Sequence, residues 1–255
     1  MPYELGKSYS NFAEQAIIRK YLDGLGIGTG TCVDIAAGDG LCMSNVYDLL
    51  NKGWKGLSVE ACDTYFTKLA KNYEGLDVDL VRTKVTPENV FNILKTFGIG
   101  KVFEFLSLDI DSYDLYVLDR ILADFRPRLA CVEINEKFPP PIEFTVKYSP
   151  AYVYPGGHMY GMSLSSLRTA LDYHKYDLVE LEYNNAFLIP REENRGRSLT
   201  DEEAYLEGYS GRRDRLDKMP WNGNVEILQK LTPEKACEWI HSFFKEHEGE
   251  FLCEI

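Results

Sequence analysis

The stretch Thr31-Cys32-Val33-Asp34-Ile35-Ala36-Ala37-Gly38-Asp39-Gly40 decides the fold. Thr31 to Ile35 reads as a short buried strand, Gly38-Asp39-Gly40 as the turn that ends it, and Leu41 to Leu50 as a helix. The same alternation continues downstream. Gly56 to Glu60 is a strand, Asp63 to Tyr73 a helix, and Val78 to Val85 a third strand. Thr86-Pro87-Glu88 supplies a cap, an N1 proline and an early carboxylate for a helix over Asn89 to Phe97. Phe103 to Leu108 and Arg128 to Ile134 are strands four and five, with a helix over Tyr113 to Leu122 between them. Strands separated by helices require parallel, right-handed crossovers, so the expected class is α/β with a mostly parallel, doubly wound sheet.

Outside this frame the texture changes. Upstream, Ser10 to Leu22 has helical apolar spacing and ends in the glycine-rich Gly24 to Gly30. Downstream, Phe138-Pro139-Pro140-Pro141 and Tyr148 to Gly161 are too irregular for a helix, and long loops at strand ends usually carry function. Ser163 to Tyr173 resumes as a helix. Asp177 to Glu182 and Ala186 to Ile189 form strands joined through Tyr183-Asn184-Asn185, a reversal that gives the sheet a terminal antiparallel strand. From Arg191 the chain is charged and helical, closing with Thr232-Pro233-Glu234 and an amphipathic helix to about His247. The expected organisation is a helical cover over 1–30, a Rossmann-like domain over 31–190, and a helical C-terminal extension or lid over 191–255.

Composition narrows the function classes. The 255 residues carry 28 basic and 40 acidic side chains, a net charge of −12, which repels phosphate backbones and anionic membranes. Nucleic acid and membrane partners are therefore not expected, and a small-molecule ligand is. The longest apolar runs fall short of the roughly 20 residues that span a bilayer, and the first residues lack the basic and apolar regions of a signal peptide. A soluble, cytoplasmic protein is expected, with room for a homo-oligomer. Six cysteines without a close pair favour reduced thiols over a zinc site or disulfides.

Ligands of open α/β sheets bind beyond the carboxyl ends of the strands. Gly38 and Gly40 would let a ligand approach the backbone amides at a helix start, and Glu60 at the end of strand two can accept both hydroxyls of an adenosyl ribose. Asp34 and Asp39 flank the glycine turn. Carboxylates there repel a pyrophosphate but suit the sulfonium and ammonium of S-adenosylmethionine, which this reading favours over NAD. Asp109 and Asp111 after strand four, with Glu133 and Asn135 after strand five, offer hard oxygen ligands for Mg²⁺ or Mn²⁺. The same residues could instead bound the methionine pocket, cap loops or bind substrate hydroxyls. His158 is open to a role as general base, as metal ligand or as a plain loop histidine. Arg212, Arg213 and Arg215 either clamp an anionic substrate or pair with neighbouring acids. Tyr148, Tyr152, Tyr154 and Tyr160 either line an acceptor pocket or pack their own loop.

Several stretches together resemble the FkbM-like branch of the class I methyltransferases, over about Tyr9 to Pro190. They are Tyr9-Ser10-Asn11-Phe12-Ala13-Glu14, Val33 to Gly40, Gly53 to Glu60, Phe105 to Asp111, Arg126-Pro127-Arg128, Val132-Glu133-Ile134-Asn135, Tyr160 to Leu164 and Asn184 to Phe187. The resemblance implies S-adenosylmethionine contacts from Asn11, Glu14, Asp34, Ala36, Gly38, Asp39, Gly40, Glu60, Ala61 and Asp109. It implies methyl transfer to a hydroxyl of a small acceptor, a carbohydrate or natural-product intermediate. Asp109, Asp111 and His158 are then the candidate catalytic groups, and Asp109, Glu133 and Asn135 the candidate cation ligands, as in some related sugar and catechol methyltransferases. Ala36 and Ala37 stand where that branch often has glycine, and Asn11 where glutamine is common. N-methylation of a small amine, or a non-catalytic scaffold that retains the cofactor, are the competing readings.

Overall fold

In the computed structural model, which describes Glu4 and residues 6–255, the strands take the order β3-β2-β1-β4-β5-β8-β7 in one seven-stranded, mostly parallel sheet. This is the Rossmann-like arrangement expected. The chain divides into two compact units, one of residues 1–109 and 120–132, the other of residues 110–119 and 133–255.

The first unit opens with α1 (Glu14–Gly24), whose Ile17, Ile18 and Leu22 are buried at helical spacing. β1 (Thr31–Ile35) then pairs in parallel with β2 (Lys55–Glu60) on one side and β4 (Val102–Leu108) on the other. β3 (Val78–Arg82) extends the sheet beyond β2, and β5 (Arg126–Glu133) pairs with β4. Val33, Leu57, Phe105 and Leu106 are fully buried, as near-continuous apolar strands covered on both faces must be. α3 (Asp63–Asn72), α4 (Val90–Thr96) and α5 (Asp114–Asp124) provide the crossovers.

Several elements are shorter than their expected spans, β3 ending at Arg82 instead of Val85 and α1 starting at Glu14 instead of Ser10, and one departs further. The helix after the glycine turn begins late, as α2 (Tyr47–Asn51) instead of at Leu41. Asp39 Oδ1 accepts from the amides of Leu41 and Cys42, at 2.9 and 2.8 Å, and Met43 sits at φ 58°. The side chain offers the backbone a local alternative to the helical ladder, and the left-handed residue stops propagation. A helix becomes regular only after Ser44 Oγ accepts from Tyr47 N at 3.1 Å.

In the second unit β7 (Tyr176–Glu182) and β8 (Asn185–Pro190) form the antiparallel pair expected at the end of the sheet. α6 (Leu164–His174) precedes them, with Ser163 as a side-chain cap on Ser166 N. The irregular stretch after strand five contains a strand absent from the sequence reading, β6 (Glu143–Val146). It pairs with β9 (Phe251–Glu254) at the far end of the chain. Between β8 and β9 lie the short helices α7 (Asp201–Tyr205) and α8 (Arg215–Lys218) and the eleven-residue α9 (Pro233–Phe243). Phe138, Phe144, Val146, Leu228, Ile240, Phe244 and Phe251 pack into one apolar cluster that fixes β6, β9 and α9 together. Among the described residues no helix is long and apolar enough to cross a membrane.

Candidate functional site

In the first unit the turn after β1 is stitched to the end of β2. The amides of Ala36 and Ala37 both donate to Val59 O, at 2.9 and 3.0 Å, and Gly40 N donates to Ala37 O at 3.0 Å. Gly38 N donates to Glu60 Oε2 at 2.8 Å, while Glu60 Oε1 accepts from Cys62 N at 2.6 Å. The turn amides therefore serve the turn itself and are not presented as an anion cradle. Glu60 is buried, yet each carboxylate oxygen has a second lone pair, so the side chain can still accept two hydroxyls. Beyond it Ala61 and Cys62 are exposed. The space beside Gly38 is open, since an added Cβ would meet nothing within 4 Å. Gly40 is the opposite case: at φ 79° its Cβ would lie 2.5 Å from the Tyr73 ring and 2.6 Å from Leu69.

The two aspartates that flank the turn part company. Asp39 caps Leu41 and Cys42, and its carbonyl accepts from Asn72 Nδ2 at 2.8 Å. Asp34 lies inside the sheet, opposite Ser58 on β2 and Ser107 on β4. Burial raises its carboxyl from 3.8 to about 7, against a hydrogen bond with Ser107 that pulls it down and with the Glu60 charge adding to the rise. Near the N-terminus Glu14 is buried and accepts from Phe12 N at 2.6 Å, whereas Asn11 is exposed. Ala36 is exposed and adopts φ 69°, a backbone state that favours glycine. Asp109, exposed after β4, donates its amide to Ile35 O at 3.3 Å.

The second unit holds the remaining candidates. Oxygens of Asp111 and Glu133 lie within 4.8 Å of each other. Asp111 sits at φ 52°, and crowding by protein raises its pKa against the attraction of Lys137. Glu133 Oε1 accepts from Asn184 Nδ2 at 2.7 Å. Asn135 is fully buried, and its Nδ2 holds the irregular loop by donating to the carbonyls of His158 (2.9 Å) and Tyr160 (2.8 Å). His158 Nε2 pairs with Asn224 Oδ1 at 2.9 Å, and burial together with the Lys137 charge lowers its pKa, leaving the ring neutral at pH 7. The tyrosines of the loop mostly pack it. Tyr152 bonds Met159 O, Tyr154 bonds Gly157 O, and the Tyr154 and Tyr160 rings meet edge to face. Arg212 and Arg215 are paired with Glu182 and Glu226, at 2.6 and 2.7 Å.

Three residues outside the expected set form the most buried polar cluster of this unit. Lys137 and Glu136 make an ion pair of 3.1 Å with both side chains fully buried. Lys137 Nζ also donates to the Tyr160 hydroxyl at 2.5 Å, and Asn222 Nδ2 donates to Glu136 Oε1 at 2.6 Å. The sequence signal is a Glu-Lys pair lodged between the apolar run ending at Ile134 and Phe138, a context in which charges need partners.

No family model matches the chain, and no curated protein matches it in sequence. Solved structures do resemble it. An S-adenosylmethionine-dependent methyltransferase from Clostridium acetobutylicum is 10% identical, covering 72% of this chain and 93% of that one with a TM-score of 0.47. An amino pentose methyltransferase from Micromonospora echinaspora, CalS10, is 10% identical over 74% and 98% of the two chains at 0.45. A putative O-methyltransferase from Klebsiella pneumoniae is 14% identical over 73% and 83% at 0.46. At such identities and scores these likenesses decide nothing about substrate or activity.

Proposed function

We propose that the chain is an S-adenosylmethionine-dependent O-methyltransferase acting on a hydroxyl of a small acceptor, a carbohydrate or natural-product intermediate. The observation that carries the reading is the tie between Glu60 and the turn after β1. A carboxylate with two spare lone pairs at that strand end suits the two ribose hydroxyls of an adenosyl group. The turn amides, spent on Val59 O, Glu60 and Ala37 O, leave no cradle for a pyrophosphate, which speaks against a dinucleotide. S-adenosylmethionine would be held by Glu60 and by the open side of Gly38, with Ala61 beside them, and when bound it supplies an electrophilic methyl group. The chain's residues must align the acceptor and remove its proton, because a neutral alcohol is a weak nucleophile. Asp109, exposed after β4 in the same unit, is the group proposed for that proton. The reading does not depend on a cation at Asp109, Glu133 and Asn135, since Asn135 already has a role in holding the loop.

Calorimetry with S-adenosylmethionine and with NAD tests the proposal. Binding of the former, weakened at least tenfold in Glu60→Gln, is expected. Binding of NAD alone, or an unchanged affinity in Glu60→Gln, refutes it.

A further inference from the structure

We propose that the groove framed by α5, α6 and the ribbon of β6 and β9 binds a small organic cation, a protonated amine on an aromatic or aliphatic body. The groove lies in the second unit, and the inference does not rest on the methyl-transfer reading. Its volume is about 540 Å³, within the roughly 300–1,000 Å³ usual for small-molecule sites. Its surface is chiefly apolar, with Leu115 and Tyr116 from α5, Ala170 and Tyr173 from α6, and Leu252 from β9. Tyr173 is 78% exposed and Leu252 43%, so the chain itself leaves much of this surface uncovered.

Strand alternation gives the ribbon two faces. Phe144 stands opposite Cys253 and Val146 opposite Phe251, and these pack into the apolar cluster with α9. Glu143 stands opposite Glu254 and Thr145 opposite Leu252, and all four line the groove. Two like charges are thus directly opposed across a two-stranded ladder, an arrangement that destabilises it. Neither carboxylate has a hydrogen bond or ion pair from another described residue. From α5, Asp119 adds a third carboxylate, which accepts from His174 Nε2 at 2.8 Å. Among the described residues no lysine or arginine lines the groove.

Charge and spacing select the ligand. An anion would meet three carboxylates and no counter-charge. A metal ion needs its oxygen ligands together, and Asp119, Glu143 and Glu254 do not bring three oxygens within 4.8 Å of one another. A neutral apolar molecule would leave the Glu143 and Glu254 charges opposed. An ammonium group beside them offsets that repulsion while its body covers Leu115, Ala170 and Leu252. The rings of Tyr116 and Tyr173 add faces to which cations are drawn.

The test is isothermal titration calorimetry of the full-length protein, without S-adenosylmethionine, with 2-phenylethylamine, tryptamine and n-hexylamine. The neutral 2-phenylethanol and the anion 3-phenylpropionate are run beside them. Expected is saturable binding of at least one amine, at least tenfold weaker binding of 2-phenylethanol and none of 3-phenylpropionate. In the double variant Glu143→Gln with Glu254→Gln the amine affinity falls at least tenfold, which assigns the binding to this groove. The melting temperature of that variant holds or rises, because the opposed charges are gone. Failure of all three amines to bind, equal binding of 2-phenylethanol, or an unchanged affinity in the double variant overturns the proposal. So does sedimentation that shows a dimer dissociated by Leu252→Asp, since the occupant is then a second copy of the chain. With the methyl donor left out, the result is independent of the calorimetry on S-adenosylmethionine and NAD.

Discussion

Asp34→Asn should make the protein more stable at neutral and alkaline pH, and the gain should vanish in acid. Burial within the sheet lifts the Asp34 carboxyl from 3.8 to about 7. In the unfolded chain the group has its ordinary value, so between these limits the folded state binds the extra proton. The sign follows from linkage: the stabilisation is fully present below pH 3.8 and is lost as pH rises through about 7. The gap between those two values, at 1.36 kcal/mol per pH unit, puts the ceiling at about 4 kcal/mol. Asparagine imitates the protonated acid, keeps an oxygen for the Ser107 hydroxyl and never ionises. The variant and the parent should therefore agree in stability near pH 4 and separate by up to about 4 kcal/mol at pH 8. Other buried acids, Asp114 with its pKa pushed to about 6 among them, bend both curves alike and cancel in the difference. Urea unfolding followed by circular dichroism across this range measures it. Parallel curves for the two proteins would show that Asp34 is ionised inside the sheet at neutral pH, and the argument from burial would fail.

Three further outcomes follow from geometry around the same elements. Ala36 holds φ 69°, so Ala36→Gly should raise stability by about 0.5–1 kcal/mol, as relief of the left-handed strain exceeds the added entropy of the unfolded glycine; a lower melting temperature would contradict it. Gly40→Ala should cost about 2–4 kcal/mol because its Cβ collides with Tyr73 and Leu69 in a strained conformation, while Gly38→Ala, with open space around it, should cost only about 1–2 kcal/mol in the same urea assay. Lys137→Met strands the fully buried Glu136 carboxylate and should destabilise by about 3–5 kcal/mol. The double change Glu136→Gln with Lys137→Met should restore much of that loss, and equal damage in single and double variants would rule out the ion pair as the cause.

The alternation of apolar strands with helices was legible because each of its parts is local. A run such as Phe103–Leu108 declares a covered strand by itself, and the reversal at Tyr183-Asn184-Asn185 marks its own hairpin. Glu60 could be found from its place at a strand end. β6 and β9 could not, because each has four residues and finds its partner more than a hundred positions away. The late start of α2 turned on which hydrogen bond the Asp39 side chain takes, a competition between two local choices that periodicity does not record.

The polar residues expose the deeper limit of reading a chain segment by segment. Strand alternation already put Asp34 on the same side as Cys32, and the parallel register set it opposite two serines, so its burial could have been inferred from the strands alone. Nothing near Glu136 has that property. Its carboxylate is matched by Asn222, its carbonyl accepts from the Tyr205 hydroxyl at 2.7 Å, and that hydroxyl is in turn held by Gln229. All three partners belong to the extension, whose helical texture says nothing of what it covers. A residue's chemistry can thus be read in place, whereas its solvation is set by segments distant in sequence. Since solvation decides whether a carboxylate clamps, caps or titrates, the extension after Arg191 sets the surroundings of Glu136 and His158 by supplying Asn222 and Asn224 to them. Asn222→Leu should therefore cost about 1–3 kcal/mol in urea unfolding, because it takes the amide donor away from the buried Glu136 carboxylate, and an unchanged midpoint would show that this bond contributes nothing.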